Sequence, residues 1–335
     1  MNGQTPLASH QTASIDNRIR GAVWGQFTGD AFCLGSHWIY DLDELRQRFP
    51  SGLRGFDLPL EGHYHYGKQP GHLTHYGDAA LLLLQSLAEN GAFDAVDFGS
   101  RFVARMESID YHGYRDHAAK GTVANALSFC AAHPGEAYSF QDGADDDQPA
   151  TVTRLAPLAA LYYKDDNYLA IVERVTRVCQ NNNRAVAYAQ AHALIMRELF
   201  SGNALQESFA AVATAMASKG VEGNEVADKI RQAIAAQDQD VTTATLAFGQ
   251  SCPLASSFPS AIHCCLRHSG NIGEAIKATA EAGGDNAGRA AMIGAWLGSY
   301  YGIAAVPVEW RNRLTAQGVI TDAVERIIAL SRQHR

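Results

Sequence analysis

GGDNAGRAAMIGAWLGSYYG, residues 283–302, is the stretch that predicts the central helix of the fold. Counted from Asp285 as N-cap, large apolar side chains recur at helical spacing and form one wide stripe, at Ile293, Trp296, Leu297, Tyr300 and Tyr301. Small residues form a second stripe, at Ala287, Ala291, Gly294 and Gly298. Since neither face is polar, the pattern predicts a buried helix that a neighbouring helix approaches closely along the small stripe.

The start of this helix has two interpretations. Asp285 can simply cap the helix, which is what Asp before an apolar run most often does. Alternatively, its carboxylate, the Asn286 amide and the free N–H groups of the first turn can bind an anion, a metal-bound ligand or a sugar phosphate. This stretch alone favours the cap.

Composition limits the class of protein. The chain has 335 residues, 47% of them apolar, which is enough for a substantial core. A formal net charge of −8 and the lack of any Lys/Arg cluster exclude a nucleic-acid partner, and no run approaches the ~20 apolar residues of a membrane span. Six cysteines without CxxC spacing indicate free thiols and a cytoplasmic protein. Residues 1–14 are polar and predict a flexible tail.

Helical patterns follow one another along the rest of the chain, and no segment has a clear strand pattern. The first covers residues 19–35, with Asp16 available as its start. Its glycines, Gly21, Gly25 and Gly29, would each cost roughly 1 kcal/mol relative to Ala in an isolated helix, so we expect them to pack closely against another buried helix. A helix beginning at Asp78 comes next. Ten or more helices predict one all-α domain over residues 15–335.

Residues 49–77 lack periodicity and predict a long irregular loop, a kind of segment that is often functional. Four histidines lie near its end and alternate with tyrosines: His63, His65, His72 and His75. Their spacing matches no common zinc pattern, so we favour a pocket wall lined by His and Tyr over an all-histidine metal site. The sequence has no nucleophile, phosphate-loop or dinucleotide motif.

Three aspartates lie at the edges of predicted buried helices: Asp30, Asp78 and Asp285. If they meet, their repulsion must be offset, which would imply Mg²⁺ or a bound polyhydroxyl ligand. Arg154 lies on a helix that otherwise buries itself. It is either a snorkelling or salt-bridged arginine or a contact for an anion, and the sequence leaves both open.

Four segments resemble the ADP-ribosylglycohydrolase family in their order and approximate spacing: GQFTGDA (25–31), the acidic turn at Asp78, TRLAPLAALYY (153–163) and GGDNAGRAA (283–291). The GGDN form, with CPLASSF (252–258) before it and Pro-x-x-Trp (307–310) after it, is most similar to the branch that contains the J-type crystallins of jellyfish lens. The resemblance covers about residues 18–315. It implies a compact all-α fold that cleaves glycosidic bonds of ADP-ribosylated proteins or small ADP-ribose conjugates, usually with two Mg²⁺ ions.

The resemblance also implies where the metal ligands lie. The family's Thr-Asp-Asp motif falls on Tyr76, Gly77 and Asp78, and its late Gly-Gly-Asp-Thr-Asp-Thr motif places Asn286, Ala287 and Gly288 after Asp285. One carboxylate remains in each motif, and one carboxylate and at least one hydroxyl are lost from each. Counting without gaps from Gly29-Asp30-Ala31 places the family's acidic active-site residue at His37. Because two Mg²⁺ ions need more oxygen ligands than remain, we expect at most one weakly held ion, or none, on Asp78 and Asp285.

Two functions follow from the resemblance. The first is hydrolysis of an N- or O-glycosidic bond in an ADP-ribosyl or related ribosyl substrate, with Asp78 and Asp285 as the catalytic residues in one shared pocket. The alternative is a catalytically silent ligand-binding or structural, crystallin-like protein. Residues expected to contact the small ribosyl ligand are Asp30, His37, His75, Tyr76, Gly77, Arg154, Asn286 and Arg289. The substrate and the oligomeric state are left open.

Overall fold

The structure, a computed structural model, describes residues 13–333 and consists of α-helices and connecting loops, with no β-strand in that range. The predicted all-α domain is confirmed. Most of the predicted tail, residues 1–12, lies outside the described residues. The helices are α1 (Ile15–Phe32), α2 (Leu42–Arg48), α3 (His75–Asn90), α4 (Ala95–Glu107), α5 (His117–Ala132), α6 (Ala156–Tyr162), α7 (Tyr168–Cys179), α8 (Asn183–Ser201), α9 (Leu205–Met216), α10 (Gly220–Ala235), α11 (Val241–Phe248), α12 (Leu254–Arg267), α13 (Ile272–Glu281), α14 (Asn286–Tyr301), α15 (Val308–Arg313) and α16 (Gln317–Gln333).

Helices α1 and α14 cross at the centre of the molecule with their backbones in contact. Every residue of α14 except the last is buried, as predicted. Small residues meet at the crossing, in the pairs Gly21–Gly298, Gly25–Gly294 and Gly29–Ala290. A Cβ atom on any of the three glycines of α1 would overlap a backbone carbonyl oxygen of α14. The predicted close packing of these glycines is therefore confirmed, and their neighbours on α14 are Gly298 and Gly294 of the small stripe and Ala290 beside it.

The other helices surround this central pair. Helices α8, α12 and α13 pack on α14, whereas α3, α6 and α16 pack on α1. The indole of Trp296 is fully buried, with the rings of Phe209 and Phe258 at 5.4 and 5.6 Å from it between centroids. No helix among residues 13–333 is long and apolar enough to cross a membrane. One contiguous apolar core thus fixes the two central helices on which the site is built.

Several helix starts differ from those predicted. Helix α3 begins at His75 with Thr74 as its N-cap, so the prediction that it begins at Asp78 is wrong, and this aspartate lies in the first turn. The N-cap of α1 is Ser14 rather than Asp16. Asp285 caps α14 as predicted, since its carboxylate accepts a hydrogen bond from the N–H of Gly288. Helices α2 and α11 were missed because 7 and 8 residues give too few turns for a clear periodic pattern.

Candidate functional site

A double-glycine turn before α14 holds the loop that follows α1. Gly283 and Gly284 both have positive φ, 68° and 64°, a conformation that glycine adopts without strain. The N–H of Gly284 donates to the carbonyl oxygen of Ile39 at 2.7 Å, and the N–H of Trp38 donates to that of Gly284 at 2.8 Å. Trp38 itself has a φ of 63°, which is unusual for a bulky residue. The turn therefore fixes the direction of the Trp38 indole.

Asn286 and Arg289, both predicted to contact a ligand, are fully buried and bonded to the protein. The Asn286 amide donates to the hydroxyl oxygen of Ser36 at 3.0 Å. The Arg289 guanidinium donates to the hydroxyl oxygen of Thr279 at 3.0 Å and to the carbonyl oxygen of Gly283. These two side chains thus hold the glycine turn in place.

The Asp285 carboxylate is fully buried at the start of α14. Its Oδ1 accepts from the N–H of Gly288 at 3.3 Å, and its Oδ2 accepts from the hydroxyl of Tyr76 at 3.1 Å. Burial raises the pKa of Asp285, and the nearby charge of Arg289 opposes that shift. Asp285 therefore links the late motif to Tyr76 of the first motif.

The Asp78 carboxylate forms an ion pair with a lysine. The ammonium of Lys68 lies 2.6 Å from Oδ2 of Asp78 and donates to the carbonyl oxygen of Leu73 at 2.5 Å. The hydroxyl of Tyr111 donates to the same carboxylate oxygen at 3.1 Å. Lys68, Asp78 and Tyr111 line a cavity of about 290 Å³. A cationic side chain, Lys68, thus lies beside this carboxylate. This ion pair was not predicted from the sequence.

Asp30 lies buried behind the first motif, with 1% of its surface exposed. Its carboxylate accepts hydrogen bonds from the N–H of Thr74 at 2.8 Å and from the hydroxyl of Thr74. Burial raises the pKa of Asp30 to about 6, and the Thr74 hydrogen bonds oppose the shift. A Cβ atom on Gly77 would overlap Oδ2 of Asp30. The absence of a side chain at Gly77 thus makes room for this carboxylate.

The three aspartates occupy neighbouring but separate environments. Asp78 lines the cavity beside Lys68, whereas Asp285 is fully buried and does not line that cavity. The expectation that Asp78 and Asp285 share one pocket is therefore wrong, because the two carboxylates do not line the same cavity. Tyr76 lies between them, because it directly precedes Gly77 and Asp78 in the first turn of α3 and bonds Asp285.

Three buried histidines converge beside Asp285, and we call His37, His65 and His75 the histidine cluster. Each can offer a ring nitrogen such that the three nitrogens lie within 4.8 Å of one another. Burial lowers the pKa values of His37 and His65 well below the ordinary histidine value and so favours the neutral form of both rings. His63 lies beside the cluster, with its Nε2 2.7 Å from the carbonyl oxygen of His37 and its ring centre 5.6 Å from that of His65, whereas His72 lines the Asp78 cavity.

An open cleft lies above the histidine cluster. This cleft has a volume of about 280 Å³, and we call it the aromatic cleft. Its lining includes four aromatic side chains and one carboxylate: Trp38, Tyr40, Tyr64, Tyr114 and Asp116. The indole of Trp38 stacks on the ring of His37 with centroids 4.2 Å apart, so it separates the cleft from the cluster. Of these residues only Tyr64, between His63 and His65, belongs to the pocket wall of His and Tyr predicted from the sequence. The positive φ that aims Trp38 has no signature in the sequence.

Arg154 is buried, with 2% of its surface exposed, so the snorkelling interpretation is wrong. Its Nε donates to the carbonyl oxygen of Ala150 at 2.6 Å, and its guanidinium lies 5.8 Å from the ring centres of Phe98 and Phe102. It borders a narrow space shared with His75, Tyr76 and Asp116. Burial is the largest single effect on the pKa of Asp116 and raises it. The pKa is nevertheless lowered, because the hydrogen bond and charge of His75 act in the opposite direction. The positive charge of Arg154 adds a smaller lowering effect.

The sequence profile of the ADP-ribosylglycohydrolase family matches residues 11–335. The chain belongs to this family. It is 26% identical to crystallin J1A of Tripedalia cystophora over 93% of this chain and 96% of the crystallin, and 24% identical to crystallin J1B over 95% and 98%. A solved ADP-ribosylglycohydrolase-related protein complex matches the fold with a TM-score of 0.67 at 19% identity, covering 95% of this chain and 99% of the matched one.

A dinuclear magnesium centre does not fit the residues of this ADP-ribosylglycohydrolase family member. Magnesium needs a near-complete shell of oxygen ligands. Gly77 and Ala287 have no oxygen-bearing side chain, and the Asp78 carboxylate already pairs with the ammonium of Lys68. The remaining carboxylates, Asp30 and Asp285, are buried and hydrogen-bonded to protein donors.

Proposed function

We propose that this family member binds an ADP-ribosyl or related ribosyl ligand in the aromatic cleft and does not catalyse magnesium-dependent hydrolysis. The observation that supports this most strongly is the ion pair between Lys68 and Asp78, with 2.6 Å between Nζ and Oδ2. A divalent cation at Asp78 would have to displace this ammonium or bear its repulsion at short range. We therefore propose that the chain holds at most one weakly bound Mg²⁺ ion.

The walls of the aromatic cleft suit a flat ring joined to a sugar. Tyr64 exposes 61% of its surface, and its ring packs edge-on against Trp38 with centroids 5.1 Å apart. Exposed aromatic faces stack with nucleobases, and a carboxylate such as Asp116 accepts hydrogen bonds from ribose hydroxyls. The two crystallin relatives also favour a role that does not depend on turnover.

Calorimetric titration with ADP-ribose, with and without Mg²⁺, tests the proposal together with an assay for ADP-ribose release from a protein conjugate. We expect binding of equal affinity in both conditions and no release. Magnesium-dependent release of ADP-ribose would establish the hydrolase instead. Failure of ADP-ribose, ribose 5-phosphate and adenosine to bind would overturn the ligand-binding proposal.

A pair of tyrosine variants locates the binding surface. Tyr64→Ala removes a ring that lines the cleft and should weaken ADP-ribose binding about 5- to 100-fold, since base stacking contributes roughly 1–3 kcal/mol. Tyr66→Ala is the matched control, because Tyr66 is 63% exposed but does not line the cleft. Equal affinities of the two variants for ADP-ribose would place the ligand elsewhere.

A further inference from the structure

The histidine cluster leaves an unusual number of polar atoms unpaired. Both ring nitrogens of His65, Nδ1 of His75 and Nε2 of His37 are buried without a hydrogen-bond partner. Buried polar groups in folded proteins are normally paired with protein atoms or with ordered water. Among residues 13–333, this is also the only group of three or more potential ligand side chains close enough together to hold one ion.

We propose that His37, His65 and His75 form a binding site for a zinc-class transition-metal ion. This proposal does not depend on what the aromatic cleft binds. It differs from the family's magnesium chemistry in both ligand type and position, because neutral imidazoles prefer zinc, copper, nickel and cobalt, whereas magnesium prefers oxygen. The proposal also departs from the prediction of a pocket wall, which was favoured because the spacing of the loop histidines matches no common zinc pattern.

The separations of the ring centres are close to those of a three-histidine metal site. A zinc–nitrogen distance of about 2.1 Å and tetrahedral angles place three imidazole centres about 5 Å apart. In the cluster the centres of His37, His65 and His75 lie 5.4, 5.6 and 5.8 Å apart. The ligand nitrogens lie within 4.8 Å of one another, and the ring planes are 15° to 33° from parallel, so the rings must turn as well as move inward to reach a common ion.

Carboxylates lie on the outer side of two of the rings. Oδ2 of Asp116 lies 3.4 Å from Nε2 of His75, and Oδ1 of Asp285 lies 3.7 Å from Nδ1 of His37. The backbone N–H of Ala287 donates to the same nitrogen of His37 at 3.4 Å, which places the proton of a neutral His37 ring on Nε2. Metal-bound histidines characteristically place one nitrogen on the ion and the other beside a carboxylate, which orients the ring. Nδ1 of His75 is therefore available for the ion, and Nε2 of His37 can bind it once the ring proton moves to Nδ1, beside Asp285.

Three protein ligands leave one coordination position of a tetrahedral ion for water or another small ligand. Trp38 covers the cluster, with ring centres 4.2 Å from His37 and 5.0 Å from His75. The cluster thus lies directly beneath the aromatic cleft, and a metal ion there would be shielded from bulk water by the indole.

Titration of tag-free, metal-stripped full-length protein with Zn²⁺ and with Co²⁺ tests the proposal. We expect one Zn²⁺ per chain by calorimetry and elemental analysis, and visible absorption characteristic of tetrahedral Co²⁺. His65→Ala should abolish both signals. Asp116→Asn should weaken the affinity for Zn²⁺ about 10- to 100-fold, because it removes the carboxylate that orients His75.

Two control variants distinguish the cluster from other histidines. His192 is also buried with both nitrogens unpaired but lies beside Trp296, so His192→Ala should leave metal binding unchanged. His72→Ala tests adventitious binding in the open cavity beside Asp78 and should likewise have no effect. The proposal is overturned if no ion binds, or if Zn²⁺ binds equally to wild type and His65→Ala. Circular dichroism of the metal-free variants establishes whether each is folded.

Discussion

At the scale of single residues, the site differs from the family pattern through changes that compensate one another. Gly77 has no side chain, and the space that a side chain would fill contains the Asp30 carboxylate. Asp78 keeps its charge, but Lys68 neutralises it. The resemblance implied that ligands are missing at Gly77 and Ala287. It did not indicate Lys68, because an ion pair formed by a residue of an irregular loop has no periodic pattern in the sequence.

The buried Asp30 predicts a specific dependence of stability on pH. Because its pKa rises from the ordinary 3.8 to about 6 in the folded protein, the folded state binds the proton more tightly than the unfolded state. The resulting stabilisation is fully present below about pH 4 and is lost as the pH rises through about 6. Urea unfolding of wild type and Asp30→Asn should show the wild type losing up to about 3 kcal/mol relative to the variant between pH 4 and pH 7.

If the difference in the free energy of unfolding between wild type and Asp30→Asn does not change with pH, the assignment of this pKa shift to Asp30 is contradicted. The comparison is made as a difference because other buried carboxyls, such as Asp285, also have raised pKa values. Those groups are present in both proteins, so their contributions to the free energy of unfolding cancel to first order.

At the scale of helices, the crossing of α1 and α14 determines the fold and is sensitive to a single added methyl group. In Gly25→Ala the new Cβ would overlap the backbone of Gly294, and a backbone cannot move aside as a side chain can. We expect a loss of about 3 kcal/mol or more in the free energy of unfolding, even though alanine favours helix by roughly 1 kcal/mol.

Gly318→Ala is the matched control for this helix prediction. Gly318 lies in α16 with no atom within 4 Å of an added Cβ, so the same substitution should stabilise the protein by up to about 1 kcal/mol. Chemical denaturation of both variants measures the two effects. A neutral Gly25→Ala would mean that the two central helices are further apart than the structure shows.

The helices also show what the sequence could and could not predict. The periodicity of residues 283–302 and the four-residue spacing of the α1 glycines predicted two buried, closely packed helices, because both features follow from local spacing. Nothing local indicated that the two small stripes face each other. Likewise, α2 and an irregular loop separate His37 from His65 in the chain, and their contact depends on the turn at Gly283 and Gly284 that holds the loop after α1.

At the scale of the whole molecule, the first and last described helices, α1 and α16, pack against each other. Helix α16 packs on α1, α3 and α6, and α3 begins at the site. The site residues therefore depend on a core that extends from one end of the described chain to the other. Such a scaffold can keep its fold while the chemistry of one pocket changes, since packing and site residues are largely different side chains.

We predict that the packing of α16 on the rest of the protein depends on apolar contacts rather than on ion pairs. Ile327 of α16 is fully buried, so Ile327→Ala should lower the free energy of unfolding by about 2–5 kcal/mol. Glu325 of the same helix pairs with Arg20 at 2.6 Å but is largely exposed, so Glu325→Gln should cost less than about 1 kcal/mol. Because α16 belongs to the shared core, Ile327→Ala should shift the urea midpoint equally by tryptophan fluorescence and by circular dichroism. A loss of helical signal before the fluorescence transition would instead mean that α16 unfolds as a separate unit.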